Sequence, residues 1–381
     1  MSTFIYFSAL YLPHLGGVER YTNKLSKKLL ELGNDVIIVT SALNNDVGIT
    51  TEDGITVARL PSVALLGGRF PFQKRNAAFN EIWGELMKIS VDHVLVNTRY
   101  YMLSLLGLRY ARKRMLPSVV IDHSSDYLSV GNTLIDGMIR LYENVMTFRV
   151  KRYDPAFFSV SLRGVEWLRH FRIRAEGTLH NAVEISDFQI SSETLGCSGE
   201  CRDRRFRIVY VGRLVAEKGI LKLCDAVRCL RADGYGEMLL EIAGAGPVEE
   251  EVKKYCDDSI RFLGQLDSVG VTRLLHRGNV FCLPTTYPEG FPTVLLEAAA
   301  SGMGIVVTDT GGAKELIPDD WYGIVIHDDS IESIIEAILT LYHDPVYLNQ
   351  VSGNLRKRVE EEFSWDKTAE TLLDYCGSLL R

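Results

Sequence analysis

Short apolar runs and longer amphipathic stretches alternate along nearly the whole chain. In the first half TFIYFSAL, DVIIVTS, ITVARL, HVLVN, SVVIDH and AFFSVS are too short for ordinary helices and rich in β-branched and aromatic residues. They predict buried strands. Between them ERYTNKLSKKLLELG, NEIWGELMKIS and LSLLGLRYARKRM are amphipathic at the period of a helix with one buried face. Strands and helices in alternation predict a parallel sheet covered on both sides. The pattern breaks at SSETLGCSGECRDRR, which is polar and rich in small residues. It restarts with RIVYVG and continues through MLLEIAG, IRFLG, NVFCLP, GIVVTD and GIVIH, again with helical stretches between. Three more helices are predicted from Ser330 onward.

At 381 residues the chain exceeds one ordinary core. The restart divides it into α/β domains over 1–182 and 205–365, with a linker over 183–204. Two such Rossmann-like domains facing each other would place a ligand cleft between the carboxyl ends of their sheets. With 46% hydrophobic and 24% charged residues the composition is that of a soluble globular protein. No apolar stretch reaches the roughly 18 residues needed to span a bilayer. The start, MSTFIYFSALYLPHLGG, lacks a basic leader and reads as a first strand and loop. Seven cysteines, mostly in apolar contexts, favour a reducing cytoplasm. Cys197 and Cys201 form the one local pair; with no second ligand pair nearby they read as free thiols of the linker.

The net charge of −7 conceals an asymmetry. Residues 1–180 hold 22 Lys and Arg against 16 Asp and Glu, and the remainder holds 20 against 33. A basic first half favours an anionic partner, either a phospholipid surface or a pyrophosphate-linked acceptor. The helix over 18–32, with Lys24, Lys27 and Lys28, is the expected contact with anionic headgroups. Nucleic acid is not expected, because no aromatic-interleaved basic stripe or recognised binding motif occurs.

The chemistry concentrates in two places. Glu289 and Glu297 bracket EGFPTVLLE, between the strand NVFCLP and the helical LLEAAASG. Between them Gly290, Phe291, Pro292 and Thr293 form a turn into a helix, whose first backbone N–H groups suit an anion. Arg213 and Lys218 follow the strand RIVYVG in a loop made compact by Gly212 and Gly219. Carboxylates suit hydroxyls, whereas cations and helix ends suit phosphates, so the ligand satisfying all of them is a sugar on a nucleoside diphosphate. Gly16 and Gly17 open the first predicted helix and would let backbone approach such a ligand. No Asp-x-Asp triplet or metal-binding cluster occurs. The cations would then stabilise the leaving diphosphate where other enzymes use Mg²⁺. His123 ends the strand SVVID, flanked by Asp122 and Asp126 as residues that could orient its ring. Tyr100 and Tyr101 follow HVLVNTR and are candidates for an acceptor groove, while Asn181, next to His180, reads as structural and closes the domain junction. The region from Phe262 to Leu274 is expected to cup the base.

LPHLGGVER, the VIDHSSD stretch, HNAVEISDF, VGRLVAEKG, AGAGP, FLGQL, EGFPTVLLEAAASG and TGGAKELI run nearly end to end. In these the chain resembles glycosyltransferase family 4, a retaining group with the GT-B fold. The resemblance implies that Arg213 and Lys218 hold the donor diphosphate and that Glu297 takes the ribose hydroxyls. It implies further that Glu289 and the backbone of Gly290 to Thr293 grip the sugar and phosphate, that Gly16 and Gly17 reach across from the other domain, and that His123 belongs to the active site. It also implies a C-terminal helix, 366–381, that returns to the first domain. Gly304 stands where the family often has proline, and Pro292 and Thr293 occupy variable positions of the sugar pocket.

The function expected is retaining, metal-independent transfer of a hexose-type sugar from a nucleoside diphosphate, with UDP the expected nucleotide and no cofactor. The acceptor would be a saccharide or a lipid-linked saccharide, in bacterial surface polysaccharide or glycolipid assembly, with the enzyme peripheral on the inner membrane face. The alternatives are a UDP-sugar 2-epimerase of the same fold and a non-catalytic nucleotide-sugar-binding subunit. The paired Glu and His123 do not obviously supply acid and base on both sides of C2, and the intact charged set argues against a decayed site. A nicotinamide enzyme lacks its glycine fingerprint here.

Overall fold

The first unit starts from the strand β1 (Thr3–Phe7), four of whose five residues are buried. The computed structural model describes residues 1–14, 16–43, 46–65, 70–129, 132–188, 205–287 and 291–379. After β1 come α1 (Gly17–Glu31), β2 (Asp35–Ala42), β3 (Gly48–Glu52), β4 (Ile55–Leu65), β5 (Phe70–Gln73) and α2 (Ala77–Lys88). Then follow β6 (His93–Asn97), α3 (Met102–Arg114), β7 (Ser118–Asp122), α4 (Thr133–Lys151), β8 (Ala156–Ser159), α5 (Leu162–His170) and β9 (Gly177–Thr178). The sheet runs β3-β4-β2-β1-β6-β7-β8-β9, with β5 also paired to β4. All its pairings are parallel except those of β3 and β5 with β4, which are antiparallel. The expected sheet was purely parallel. GITTE is mostly exposed, lacks a buried apolar run, and so gave no strand signal.

The second unit restarts with β10 (Phe206–Val211), α6 (Ile220–Ala232), β11 (Met238–Ala243), α7 (Glu249–Lys253), β12 (Ile260–Phe262) and α8 (Ser268–Arg277). It continues with β13 (Val280–Leu283), α9 (Thr293–Ala300), β14 (Gly304–Thr308), α10 (Ala313–Leu316), β15 (Ile324–Ile326), α11 (Ile331–His343) and α12 (Pro345–Glu362). Its six strands are all parallel, in the order β12-β11-β10-β13-β14-β15. Renumbered within the unit this is 3-2-1-4-5-6, the dinucleotide-fold order whose direction reverses between its first and fourth strands.

The compact units are Met1–Asn181 together with Trp365–Arg381, and Ala182–Ser364. The helix α13 (Trp365–Ser378) therefore belongs to the first. It packs on α1, where Trp365 meets the Tyr21 ring edge-on at 5.2 Å and Asp366 pairs with Lys28 at 2.9 Å. The expected linker over 183–204 is too long at its start. Val183 and Phe188 are buried in the core of the second unit, and the Phe188 carbonyl accepts from His276 Nε2 at 2.7 Å. Cys197 and Cys201 lie outside the described residues.

The basic face expected on α1 is not a free one. Lys27 pairs with Asp53 at 2.7 Å, and Lys28 pairs with Glu31 as well as with Asp366. Those carboxylates neutralise Lys27 and Lys28, two of the cations from which attraction to headgroups was inferred.

Candidate active site

In the second unit the order reversal falls between β10 and β13, and in sheets of this kind ligands sit outside the carboxyl ends at that point. The loop after β10 carries Arg213, exposed, and Lys218, half-buried at the end of a single 3-10 turn. Gly219 closes it with φ 72°, and a Cβ there would lie 2.0 Å from the Pro284 carbonyl oxygen. Only glycine lets the two loops approach so closely. The Glu217 carbonyl then accepts from the backbone N–H groups of Thr286 at 2.8 Å and Tyr287 at 3.1 Å. Thus the loop bearing both cations is fastened to the chain leaving β13, which leads into the turn before α9. The end of β11 joins the same edge: a Cβ on Gly244 would lie 1.9 Å from the Gly212 carbonyl oxygen.

Glu289 and Gly290 lie outside the described residues. Pro292 is the N-cap of α9 and makes no side-chain cap. Thr293 is exposed at the first helical position, and Glu297 is half-buried on the next turn. The ring of Phe291 is buried in the unit's core, 5.5 Å from the Phe363 ring. It anchors the turn, so only its main chain is left for a ligand.

The first unit reverses its order between β1 and β6. Gly16 and Gly17 follow β1 and start α1. The Glu19 carboxylate already sits at this helix end, in space that a Cβ on Gly16 would occupy, while Gly17 is open. At the end of β6, Thr98 takes φ 55°, costly for a β-branched residue. On either side of that kink Asn97 and Arg99 begin two separate networks.

Asn97 organises the first. Its amide nitrogen donates to Ser8 Oγ at 3.0 Å and Thr22 Oγ1 at 2.5 Å. Its carbonyl oxygen accepts from Tyr6 Oη at 2.9 Å and faces His123 Nε2 at 3.0 Å. Because that oxygen can only accept, His123 carries its proton on Nε2, leaving Nδ1 as the ring's acceptor. The ring also meets Tyr21 edge-on at 4.8 Å. Burial pulls the His123 pKa down to about 3, so the imidazole is neutral at physiological pH.

Arg99 organises the second. It is fully buried and bonds Asp122 at 2.6 Å and Glu143 at 3.1 Å, with its guanidinium 4.3 Å from the centre of the Phe171 ring. Asp122 therefore does not orient His123, because its carboxylate is committed to Arg99. Asp126 instead accepts from the Tyr127 N–H at 2.7 Å. One cation between two buried carboxylates leaves one negative charge in excess, and burial raises Glu143 from its ordinary 4.5 to about 7. The folded state therefore keeps a proton on Glu143 that the unfolded chain has released, and stability falls as pH rises from 4.5 to 7. Glu143→Gln should remove that slope. Between those pH values, unfolding free energies of the variant and the parent should diverge by about 3 kcal/mol in the variant's favour. Parallel slopes in urea titrations would show that Glu143 does not hold the proton.

Tyr100 is not a groove residue. It is buried in the first unit's core beneath Arg99, and Tyr101, half-buried, packs against Phe70 at 5.8 Å. His180 offers its carbonyl to Thr368 Oγ1 at 3.1 Å. Asn97, Arg99 and Tyr6 were not singled out in the sequence. NTR directly after an apolar strand is the signal that could have found the first two.

Two family descriptions divide the chain as the two units do. "Glycosyltransferase Family 4" matches residues 15–186 and "Glycosyl transferases group 1" matches residues 198–362. The glycogen synthase of Mycobacterium tuberculosis is 31% identical over 377 residues, covering 93% of this chain and 89% of that protein. The chain belongs to glycosyltransferase family 4. The gpi3 component of the phosphatidylinositol N-acetylglucosaminyltransferase of Schizosaccharomyces pombe is 24% identical over 95% of this chain and 78% of its own length. The Anabaena protein Alr3699/HepE, solved in complex with UDP-glucose, superimposes with a TM-score of 0.70 at 17% identity, covering 99% of this chain and all of that one. This likeness shows the GT-B fold in the family 4 enzyme, with its two Rossmann-like domains. The family makes the protein a transferase of glycosyl groups.

Proposed function

We propose that this family 4 enzyme transfers a hexose-type sugar, with retention and without a divalent metal, from UDP to a saccharide or lipid-linked saccharide. The observation that carries the reading is the fastening of the Arg213–Lys218 loop to the chain leaving β13, at the point where the second sheet reverses its order. Two cations and the uncapped start of α9 then converge on a diphosphate, and Glu297 lies one turn along for the ribose hydroxyls. Glu289 and Gly290 are assigned to the sugar and its phosphate by family resemblance. His123, neutral and with Nε2–H held by Asn97, would accept a sugar hydroxyl at Nδ1. The bond from the anomeric carbon to the phosphate oxygen breaks as the acceptor oxygen bonds the same face, and the leaving diphosphate takes the acceptor's proton. Arg213 and Lys218 stabilise the charge that develops there.

UDP as the nucleotide is supported by the UDP-glucose complex of HepE, and a lipid-linked acceptor by the phosphatidylinositol in the name of the fission-yeast relative. Bacterial surface polysaccharide or glycolipid assembly is the setting proposed. Thermal shift across UDP-, GDP- and ADP-sugars tests the donor: the preferred one should stabilise by about 2.7 kcal/mol at a hundredfold excess over Kd. No stabilisation by any of them would overturn the reading. Transfer that stops in EDTA and returns with magnesium or manganese would overturn its metal-free part.

A further inference from the structure

Helix α4 turns an apolar stripe to solvent. Leu134, Met138, Leu141, Val145 and Phe148 are 82%, 65%, 67%, 42% and 61% exposed. At 100° per residue they fall within an arc of about 80°, in a row about 20 Å long. The opposite face, with Ile139, Met146 and Val150, is buried, so α4 presents two apolar faces and the unit uses one.

The charged side chains that close the stripe's end have one sign. α4 carries two carboxylates, and neither lies on the exposed arc: Asp136 is half-buried and accepts from Ser129 Oγ at 2.7 Å, and Glu143 is buried with Arg99. Beside the stripe's end, Arg149 and Arg152 join Arg109 and Arg112 of α3, with Leu105 and Tyr153, around a shallow depression of about 550 Å³. Among the described residues none of these four arginines is in an ion pair. Aromatic groups hold three of them instead. Arg152 lies 5.1 Å from the Phe148 ring centre, Arg112 lies 5.7 Å from that of Tyr153, and Arg109 Nε donates to Tyr153 Oη at 3.3 Å.

We propose that α4 docks the enzyme on an anionic phospholipid surface. Its apolar stripe enters the boundary between headgroups and acyl chains, and the four-arginine depression receives a lipid phosphodiester. An apolar strip edged by guanidinium groups complements a plane of phosphates over hydrocarbon. Among the described residues no helix is long and apolar enough to cross a membrane, so the stripe would lie in the interface. A second copy of the chain fits less well. Pairing two stripes would bury arginines against a face that offers no carboxylate. The surface differs from α1, whose Lys27 and Lys28 are already paired, and it does not depend on which donor the enzyme uses.

The test is co-sedimentation of the full chain with phosphatidylcholine vesicles, with and without phosphatidylglycerol. Binding should need phosphatidylglycerol. Leu141→Glu with Phe148→Glu, and separately Arg149→Glu with Arg152→Glu, should each weaken it by about tenfold or more. These residues are exposed, so melting temperature and transfer to a soluble acceptor should not change. Equal binding to both vesicles would overturn the proposal, as would retention of binding by both variants. So would light scattering that shows a dimer which Leu141→Glu dissociates, since the stripe would then be a protein interface.

Discussion

Arg213→Ala should lower the rate of sugar transfer by about 10²–10³-fold, the loss seen when one fixed donor is removed from a developing negative charge. The arginine is exposed, so its removal should leave the fold and the melting temperature as they were. The substitution should also abolish the thermal shift produced by the preferred nucleotide sugar. Lys218→Ala should act in the same direction. The reason is geometric: the loop holding both cations is fixed by Gly219 and the Glu217 carbonyl, so in the proposed reading they would meet the diphosphate without reorganising. Arg213→Lys keeps the charge but loses the planar fork, and should recover only part of the rate. A fall of less than tenfold in Arg213→Ala, with the nucleotide shift intact, would move the diphosphate elsewhere.

The largest effect on stability should come from Arg99→Ala. Arg99, Asp122 and Glu143 are all fully buried, and removing the one cation leaves the Asp122 carboxylate, and Glu143 wherever it is ionised, without a counter-charge. The cost should be about 3–5 kcal/mol. Three of the four tryptophans, Trp83, Trp167 and Trp365, lie in the first unit, so fluorescence in a urea titration follows that unit. Replacing the triad together, as Arg99→Met with Asp122→Asn and Glu143→Gln, should recover much of the loss. A cost below about 1 kcal/mol for Arg99→Ala would show that the triad does not hold the end of β6 in place.

The second unit was the more legible from sequence. Each of its six strands is a short apolar run bounded by Gly, Pro or charge, and each appears where the pattern places it. The cations and the turn into α9 stand beside strand ends, and a parallel sheet brings such positions to one edge. The first unit was less legible. The Tyr6–Asn97–His123 network joins residues 91 and 26 positions apart, and no local periodicity encodes such pairings. Arg99 was passed over because arginines are rarely fully buried, and its two carboxylates come from β7 and α4. The resemblance to family 4, rather than any pattern of charge, pointed to His123. The stripe on α4 shows as five apolar residues at helical spacing, which sequence alone assigns to a core. Only exposure distinguishes it.

Trp365 touches Tyr21, and Tyr21 touches His123. A chain emerging in order from the ribosome therefore makes the whole second unit before α13 is available to cover α1. Until residues 365–378 have been made, the first unit lacks buried Trp365, Leu372 and Cys376. It must wait with α1 uncovered by α13 while its younger neighbour folds, and a stop codon just past Ser364 would damage the part translated first.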